Sequence, residues 1–161
     1  MSDKPPRAVF DCVVFVQALI SGRGPSAACI RHVQQASVAL FLSSEVMAEV
    51  RDVPLRPALA RRYRHLTPEL VASFVADIER HSVWIENPPK VFTLPRDAKD
   101  EPYVNLAAAA DARFLVTWNA RHLTYLMRKD TAEGRLFCRR FPELKILSPP
   151  EFLREIGQPK I

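Results

Sequence analysis

The sequence predicts an α/β protein with a central parallel sheet of about five strands, covered by helices on both faces. Short apolar runs rich in β-branched residues alternate with longer helical patterns, and this alternation is typical of βαβ units. The chain has 161 residues, which is the length of one domain, and we place that domain over residues 1–161. The predicted architecture is therefore a three-layer α/β/α sandwich.

Five short runs have the composition of buried parallel strands. They cover residues 8–11, 38–42, 83–85, 114–117 and 145–147. The first of these strands ends near Asp11, and Asn119 follows the fourth. The run that contains the first strand continues to residue 16, and a short helix over residues 17–20 comes after it. A Pro-containing loop over residues 87–98 follows the third strand.

The helix boundaries follow from hydroxyl side chains and prolines. The predicted helices start, in order, at Gln17, Pro25, Ser43 or Ser44, Ala58, Thr67-Pro68, Asp100 and Ser148. A Ser or Thr side chain accepts a hydrogen bond from a free amide of the first turn, and proline suits that turn because its missing N–H is not needed. Pro54 and Pro57 end the third helix, the basic fourth helix reaches His65, and the fifth ends near His81.

Composition and charge narrow the class of protein. No apolar stretch reaches the roughly 18 residues of a membrane helix, and the first residues lack a signal-peptide pattern, so we expect a cytoplasmic protein that does not contact a membrane. The three cysteines are widely spaced and form no Cys-x-x-Cys pair. This spacing argues against a disulfide framework and against a structural zinc site. They are Cys12, Cys29 and Cys138.

The net charge of +5 comes largely from two groups of basic residues. These are Arg51, Arg56, Arg61, Arg62, Arg64 and His65 in the first group, and Arg128, Lys129, Arg135, Arg139 and Arg140 in the second. Acidic residues between two such groups would suit a polyanionic ligand whose outer parts bind the basic side chains. The alternative is that these are solvated, Arg-rich helix faces.

Three acids far apart in sequence lie where apolar runs stop or helices start: Asp11, Glu49 and Asp100. Because ligands of a parallel sheet bind outside the carboxyl ends of its strands, these side chains and Asn119 can converge. Converging carboxylates repel one another unless a hard cation such as Mg²⁺ or Mn²⁺ neutralises them. The pattern predicts a metal-dependent acidic cluster, with phosphodiester hydrolysis as the leading chemistry. Glu45, one helical turn before Glu49, is the alternative inward acid.

The sequence around these residues resembles that of the PIN-domain nucleases, specifically the branch that contains toxins of toxin–antitoxin systems. The resemblance covers residues 9–156, and the order and spacing of its motifs carry it. The motifs are Val9-Phe10-Asp11, Ala18-Leu19-Ile20-Ser21, segment 42–50, Arg96-Asp97-Ala98-Lys99-Asp100, segment 110–119 and segment 146–153.

The resemblance implies the fold and the chemistry together. It makes Asp11, Glu49 and Asp100 the first three catalytic acids and Asn119 the fourth site position, and these four residues would bind one or two Mg²⁺ or Mn²⁺ ions. It also implies hydrolysis of single-stranded RNA, a small antitoxin protein as partner and a homodimer.

The chain departs from the family pattern at three places. Asn119 stands where the family has an Asp, His122 replaces a further Asp three residues later, and Cys12-Val13 replaces the Thr-Asn that follows the first acid. Asn119 can still offer a carbonyl oxygen and His122 an imidazole. The alternative function is a weakened PIN module that binds RNA or a protein without cleavage. A phosphatase of the haloacid-dehalogenase type would need a second Asp where Val13 stands.

Several neighbouring residues have an ordinary structural interpretation beside a functional one. Asp100 can cap its helix as well as serve the site, and Asp97 suits a supporting loop acid better than a ligand. Ser44 either bonds a catalytic acid or caps its helix, and Trp118 either stacks on a base or fills the rim. Cys12 suits a small core residue better than a nucleophile, because no basic group is evidently placed to lower its pKa.

Overall fold

The structure, a computed structural model, describes residues 4–94, 97–119 and 123–159. Its centre is a parallel sheet of five strands in the order β3-β2-β1-β4-β5, which confirms the predicted sheet. The strands are β1 Arg7–Phe10, β2 Ala39–Leu42, β3 Ser82–Trp84, β4 Phe114–Val116 and β5 Lys145–Leu147. Helices flank the sheet in an α/β/α sandwich, because the central strands are buried on both faces and need cover on each.

The helices of the described residues connect these strands in sequence order. They are α1 Cys12–Ile20, α2 Pro25–Gln34, α3 Ser44–Asp52, α4 Pro57–Arg62, α5 Pro68–Arg80, α6 Glu101–Ala109, α7 Ala132–Arg140 and α8 Pro149–Ile156. Short 3₁₀ turns cover Val53–Leu55, Ala98–Asp100 and Thr124–Met127. Among these residues no single helix is long and apolar enough to cross a membrane, and the pair that would be so together, α1 and α2, is bent by 102°.

The structure confirms two predicted helix caps, in which a hydroxyl side chain accepts a hydrogen bond from a backbone N–H of the first turn. Thr67 accepts from the backbone N–H of Leu70, and Ser148 forms a reciprocal capping box with Glu151. Ser43, rather than Ser44, caps α3. Hydroxyl caps could therefore be found in the sequence, although two adjacent serines left the choice open.

Two helix boundaries differ from the prediction, and helix α7, Ala132–Arg140, was not predicted. Helix α1 begins at Cys12 instead of residue 17, because the Asp11 carboxylate caps it through the backbone N–H of Val14. Helix α4 ends at Arg62 instead of His65, because its last hydrogen bond closes at the N–H of Tyr63. The start of α1 could not be recognised from the sequence, since a continuous apolar run is compatible with a buried strand and with a core helix.

The core carries two groups of packed aromatic rings. The ring of Phe152 on α8 contacts Phe10 and Phe114, with centroids 5.8 and 5.2 Å apart. The ring of Phe92 contacts Phe137 on α7 at 5.3 Å. These contacts fix α8 against the strands β1 and β4, and α7 against the loop that precedes α6. Both strands that lead into the candidate site are thereby held in place.

The loop before α6 is held by side chains of α6 itself. The carboxamide of Asn105, which is buried, accepts hydrogen bonds from the backbone N–H groups of Val91 and Phe92 at 3.0 and 2.9 Å and donates to the carbonyl of Phe92. Glu101 accepts from the N–H of Leu94 at 2.7 Å. Since this loop leads directly to Asp97 and Asp100, its anchoring positions the third predicted acid.

Candidate active site

Asp11 lies at the carboxyl end of β1, and its side chain is 3% exposed. One carboxylate oxygen accepts from the backbone N–H of Val14 at 3.1 Å, and the other accepts from the hydroxyl of Thr117. Burial raises the pKa of this carboxyl from 3.8 to about 6, and the nearby charge of Glu49 adds to the rise, while the two hydrogen bonds oppose it. A buried carboxylate in this position is costly to ionise without a cation.

Thr117 contacts both Asp11 and Asn119, and it was not predicted as a site residue. It follows β4, which pairs with β1 so that Val116 lies opposite Phe10. The next residue of each strand is therefore adjacent too, and Thr117 donates to Asp11 from a fully buried position. Its hydroxyl also accepts from the backbone N–H of Asn119 at 2.8 Å. The signal that could have revealed it is this register of neighbouring parallel strands.

Asp100 lies next to Asn119, as expected for members of one site. The Asn119 carboxamide donates through Nδ2 to Oδ2 of Asp100 over 3.1 Å. Asp100 occupies the cap position of α6, but its side chain makes no capping hydrogen bond. Burial and the neighbouring Asp97 and Asp11 raise the pKa of the Asp100 carboxyl to about 7, and Asn119 opposes this. The side chain is thus directed to the other acids and not to its own helix.

Glu49 is the inward acid of α3. It is half-buried, whereas Glu45, one turn earlier, is exposed. The charge of Glu49 contributes to the raised pKa of Asp11 and of the Cys12 thiol. Ser44 donates to Glu86 at 3.2 Å and so does not contact a predicted catalytic acid. The choice between Glu45 and Glu49 that the sequence left open is therefore decided by the packing of α3.

Tyr103 is a further residue of this region that the sequence analysis missed. It lies one helical turn after Asp100, and its side chain is 2% exposed. Burial, together with the neighbouring Cys12, Glu49 and Asp11, raises the pKa of its hydroxyl. The spacing of three residues from Asp100 on one helix was the available signal, since such residues share a face.

All but one of the remaining candidate residues lie within the described part of the chain. Cys12 is buried, and burial and the charge of Glu49 raise the pKa of its thiol, so it is a core residue and not a nucleophile. Trp118 is 39% exposed, and its indole N–H donates to the hydroxyl of Ser26 at 2.7 Å, so it lies at the rim. His122 lies outside the described residues.

Several residues of the two basic groups are paired with acids. Arg51 pairs with Glu79, Arg56 with Asp52, and Arg128 with Asp130. The charge of Arg56 acts to lower the pKa of the Cys12 thiol, which is next to Asp11 in the sequence. These ion pairs lie at the surface and contribute little to stability.

The donor set fits a hard divalent cation in its chemistry. The carboxylates of Asp11, Asp100 and Glu49 and the amide oxygen of Asn119 are oxygen ligands. The charge of Glu49 raises the pKa of Asp11, and the charge of Asp11 raises the pKa of Asp100. In the described part of the chain, no three His, Cys, Asp or Glu side chains are already arranged as a metal cage. A cation would therefore be held only after a rearrangement of these side chains, and half-buried Glu49 has the most room to rotate.

A family model of the PIN domain matches residues 7–121, which is more than half of the chain. The chain therefore belongs to the PIN-domain family, whose members are in general metal-dependent nucleases. Comparison with curated proteins and with solved structures finds no match. The matched segment contains the four predicted site residues, Asp11, Glu49, Asp100 and Asn119.

Proposed function

We propose that the protein is an endoribonuclease that hydrolyses RNA with a Mg²⁺ or Mn²⁺ ion held by Asp11, Glu49, Asp100 and Asn119. The observation that carries this proposal is the joining of Asp11 and Asp100, which are far apart in sequence, through Thr117 and Asn119. Two buried carboxyls with raised pKa values, one at the carboxyl end of β1 and the other at the start of α6, suit a cation site better than a structural role.

Each residue has a separate task in this mechanism. Thr117 orients Asp11 through its hydroxyl, and Asn119 orients Asp100 through its carboxamide. Glu49 completes the set of negative ligands. When bound, the divalent ion stabilises the charge that develops at the scissile phosphate and makes water a better nucleophile near neutral pH. The reaction needs no covalent intermediate, in keeping with the buried thiol of Cys12.

Single-stranded RNA is the substrate that the rim favours. Arg56, whose charge acts on the thiol of Cys12 next to Asp11, can bind a backbone phosphate beside the scissile one. Trp118 directly precedes Asn119 and exposes part of its ring, and an aromatic face of this kind stacks on an unpaired base. A duplex keeps its bases stacked inside the helix and would gain less from this contact.

The biological role we propose is that of a toxin paired with a small antitoxin protein, acting as a homodimer. The order of the motifs over residues 9–156 supports this assignment. Growth of cells after induced expression tests it: the chain should arrest growth, and co-expression of the neighbouring small reading frame should restore it. Arrest that persists in an Asp11→Asn variant would contradict a role through RNA cleavage.

Cleavage of single-stranded RNA by the purified protein is the direct test of the activity. It should require Mn²⁺ or Mg²⁺, disappear in excess EDTA, and disappear in Asp11→Asn and in Asp100→Asn. Glu45→Gln is the matched control, because Glu45 shares α3 with Glu49 but is exposed; it should cleave like the wild type. Activity that persists in EDTA, or in both Asn variants, would contradict the proposal.

A second function follows from one specific observation. Asn119 places a neutral amide where the family has a fourth acid, and its N–H₂ group donates to Asp100. Such a site holds a cation less strongly and favours a module that binds RNA or a protein partner without cleaving it. Tight RNA binding without cleavage, at any Mn²⁺ concentration, would support this module over the nuclease.

A further inference from the structure

Tyr103 carries a buried hydroxyl that makes no hydrogen bond of good geometry among the described residues. Its side chain is 2% exposed, and it ranks among the largest fully buried side chains of the chain. A buried tyrosine hydroxyl normally finds a partner, because an unpaired one loses its hydrogen bonds to water without replacement. Phenylalanine would fill the same space without that loss. A functional role of the hydroxyl would explain why this position has a tyrosine.

The surroundings of the hydroxyl identify its partner. Tyr103 lies one turn after Asp100, and Asp11, Cys12 and Glu49 are its ionisable neighbours; of these three, Glu49 also interacts with the hydroxyl as a hydrogen-bond acceptor. Asp11 already accepts two hydrogen bonds, one on each oxygen. Glu49 is half-buried on α3, with a side chain long enough to rotate. Glu49 is therefore the acceptor that a modest side-chain movement brings to the hydroxyl.

Such a movement is the one that cation binding requires. The acids are not yet arranged as a cage in the described residues, and Glu49 is half-buried whereas Asp11 and Asp100 are buried. A carboxylate that binds a cation with one oxygen commonly accepts a hydrogen bond on the other, and this bond orients it. The buried hydroxyl of Tyr103 is fixed by its ring and can supply that bond.

We propose that Tyr103 is a positioning residue whose hydroxyl donates a hydrogen bond to the carboxylate of Glu49 and holds it toward Asp11 when a divalent cation binds. The proposal deepens the proposed function and rests on its metal site. Tyr103 itself does not touch the cation or the RNA. The hydroxyl and Glu49 already interact without a well-formed hydrogen bond, and binding of a cation would complete that bond.

The test is calorimetric titration of the full chain with Mn²⁺, without RNA. Tyr103→Phe should bind Mn²⁺ about 10- to 100-fold more weakly than the wild type, the usual effect of removing a group that orients a metal ligand. Its metal-free melting temperature should equal or exceed that of the wild type, because the variant loses only a hydroxyl that lacks a well-formed hydrogen bond. Tyr63→Phe is the matched control, since Tyr63 lies after α4 and contacts Arg62 and His65; its affinity should not change.

A double-mutant cycle assigns the effect to Glu49. In a Glu49→Ala background, Tyr103→Phe should cause no further loss of Mn²⁺ affinity. A loss that persists in that background, a Tyr103→Phe affinity within twofold of the wild type, or a clearly lower metal-free melting temperature would each overturn the proposal. A wild type that binds no Mn²⁺ would overturn it too. Mn²⁺ binding without RNA cleavage would count against the nuclease alone and leave the role of Tyr103 standing.

Discussion

Asn119 donates its carboxamide to Asp100 across 3.1 Å and its backbone N–H to the hydroxyl of Thr117 across 2.8 Å. Since Thr117 in turn donates to Asp11, one residue joins the acid that follows β1 to the acid that precedes α6. The two halves of the site therefore form one hydrogen-bond network, and changes at any member should be felt at both acids.

Asn119→Asp is expected to tighten cation binding. The substitution adds a fourth negative charge to Asp11, Glu49 and Asp100, and the affinity of such sites rises with ligand charge. We expect Mn²⁺ affinity to increase about tenfold, which equals about 1.4 kcal/mol, and a second ion to bind more readily. Calorimetric titration of both proteins measures the affinity and the number of ions.

The same substitution should weaken the metal-free protein. It removes the donor that stabilises the charged form of Asp100 and puts a like charge beside it. Asn119→Ala is the control, because it removes the donor without adding charge and should not tighten Mn²⁺ binding. Unchanged affinity and stoichiometry in Asn119→Asp would place Asn119 outside the metal site.

Thr117→Val should destabilise the protein although it keeps the shape of the side chain. It leaves the buried Asp11 carboxylate without one donor and the N–H of Asn119 without its acceptor. We expect a loss of about 1–3 kcal/mol in the free energy of unfolding, measured by urea titration. Thr117→Ser keeps the hydroxyl and should retain most of this stability. An equal loss in both variants would mean that the methyl group, not the hydroxyl, matters.

Stability should fall as pH rises from about 4 to about 7 in the absence of metal. The folded-state pKa values of Asp11 and Asp100 are about 6 and about 7, above the ordinary value of 3.8. In that window the folded protein therefore holds more protons than the unfolded chain, and the stability from these two groups is lost as they ionise. For Asp11 alone the loss is roughly 3 kcal/mol above pH 7.

Melting temperatures at pH 5 and pH 8 measure this loss against a variant that cannot ionise. Asp11→Asn should show a smaller drop between the two pH values than the wild type, because its side chain stays neutral throughout. Saturating Mn²⁺ should reduce the drop in the wild type, since a cation stabilises the ionised carboxylates. Identical pH dependence in the wild type and Asp11→Asn would contradict the raised pKa of Asp11.

The sheet and the positions of Asp11 and Asp100 could be predicted, because they follow from local sequence patterns. Buried parallel strands are short apolar runs, and such runs place Asp11 and Asn119 at the carboxyl ends of two of them. Asp100 follows from the start of an alanine-rich helix. The parallel arrangement then brings strand ends to one edge, and this is enough to expect the acids together.

The supporting residues could not be predicted because their partners are distant in sequence. The contact between Thr117 and Asp11 spans 106 positions and depends on β4 lying next to β1. Tyr103 and Asn105 looked like ordinary helix residues, since a helical pattern does not tell what each face contacts. Glu45 and Glu49 share one face by spacing, and only the packing of α3 decides which is inward.

Asn105→Leu should loosen the loop that leads to Asp100. The substitution removes the acceptor of the Val91 and Phe92 amides and the donor to the Phe92 carbonyl, all in a buried place. Hydrogen exchange at these two amides should become about 10-fold faster or more, in keeping with a loss of at least 1.4 kcal/mol in local stability.

The amides of Val14 and Leu70 serve as internal controls for that exchange experiment, because the caps of α1 and α5 hold them. They should exchange as in the wild type if the effect is local. Faster exchange at every amide would instead show global destabilisation. Mn²⁺ affinity should also fall in Asn105→Leu, since the loop positions Asp100.

Trp118 should contribute directly to the binding of unpaired bases. Its indole N–H is fixed to Ser26, so the exposed part of the side chain is ring surface. Stacking on one base contributes about 1–3 kcal/mol, so Trp118→Leu should weaken binding of a single-stranded RNA about 5- to 150-fold. Trp118→Phe should retain part of the affinity because a smaller aromatic face remains.

Fluorescence titration measures this binding while cleavage is prevented. The Asp11→Asn background stops hydrolysis, and Trp84→Phe removes the other tryptophan, so that Trp118 is the fluorophore. Single-stranded RNA should quench its emission and a duplex of the same sequence should quench it much less. Single-stranded DNA separates recognition of the base from recognition of the ribose, because only RNA offers a 2′-hydroxyl. For Trp118→Leu, which lacks this reporter, fluorescence anisotropy of an end-labelled single-stranded RNA measures the affinity; an affinity equal to that of the parent protein would show that the ring faces solvent and not a base.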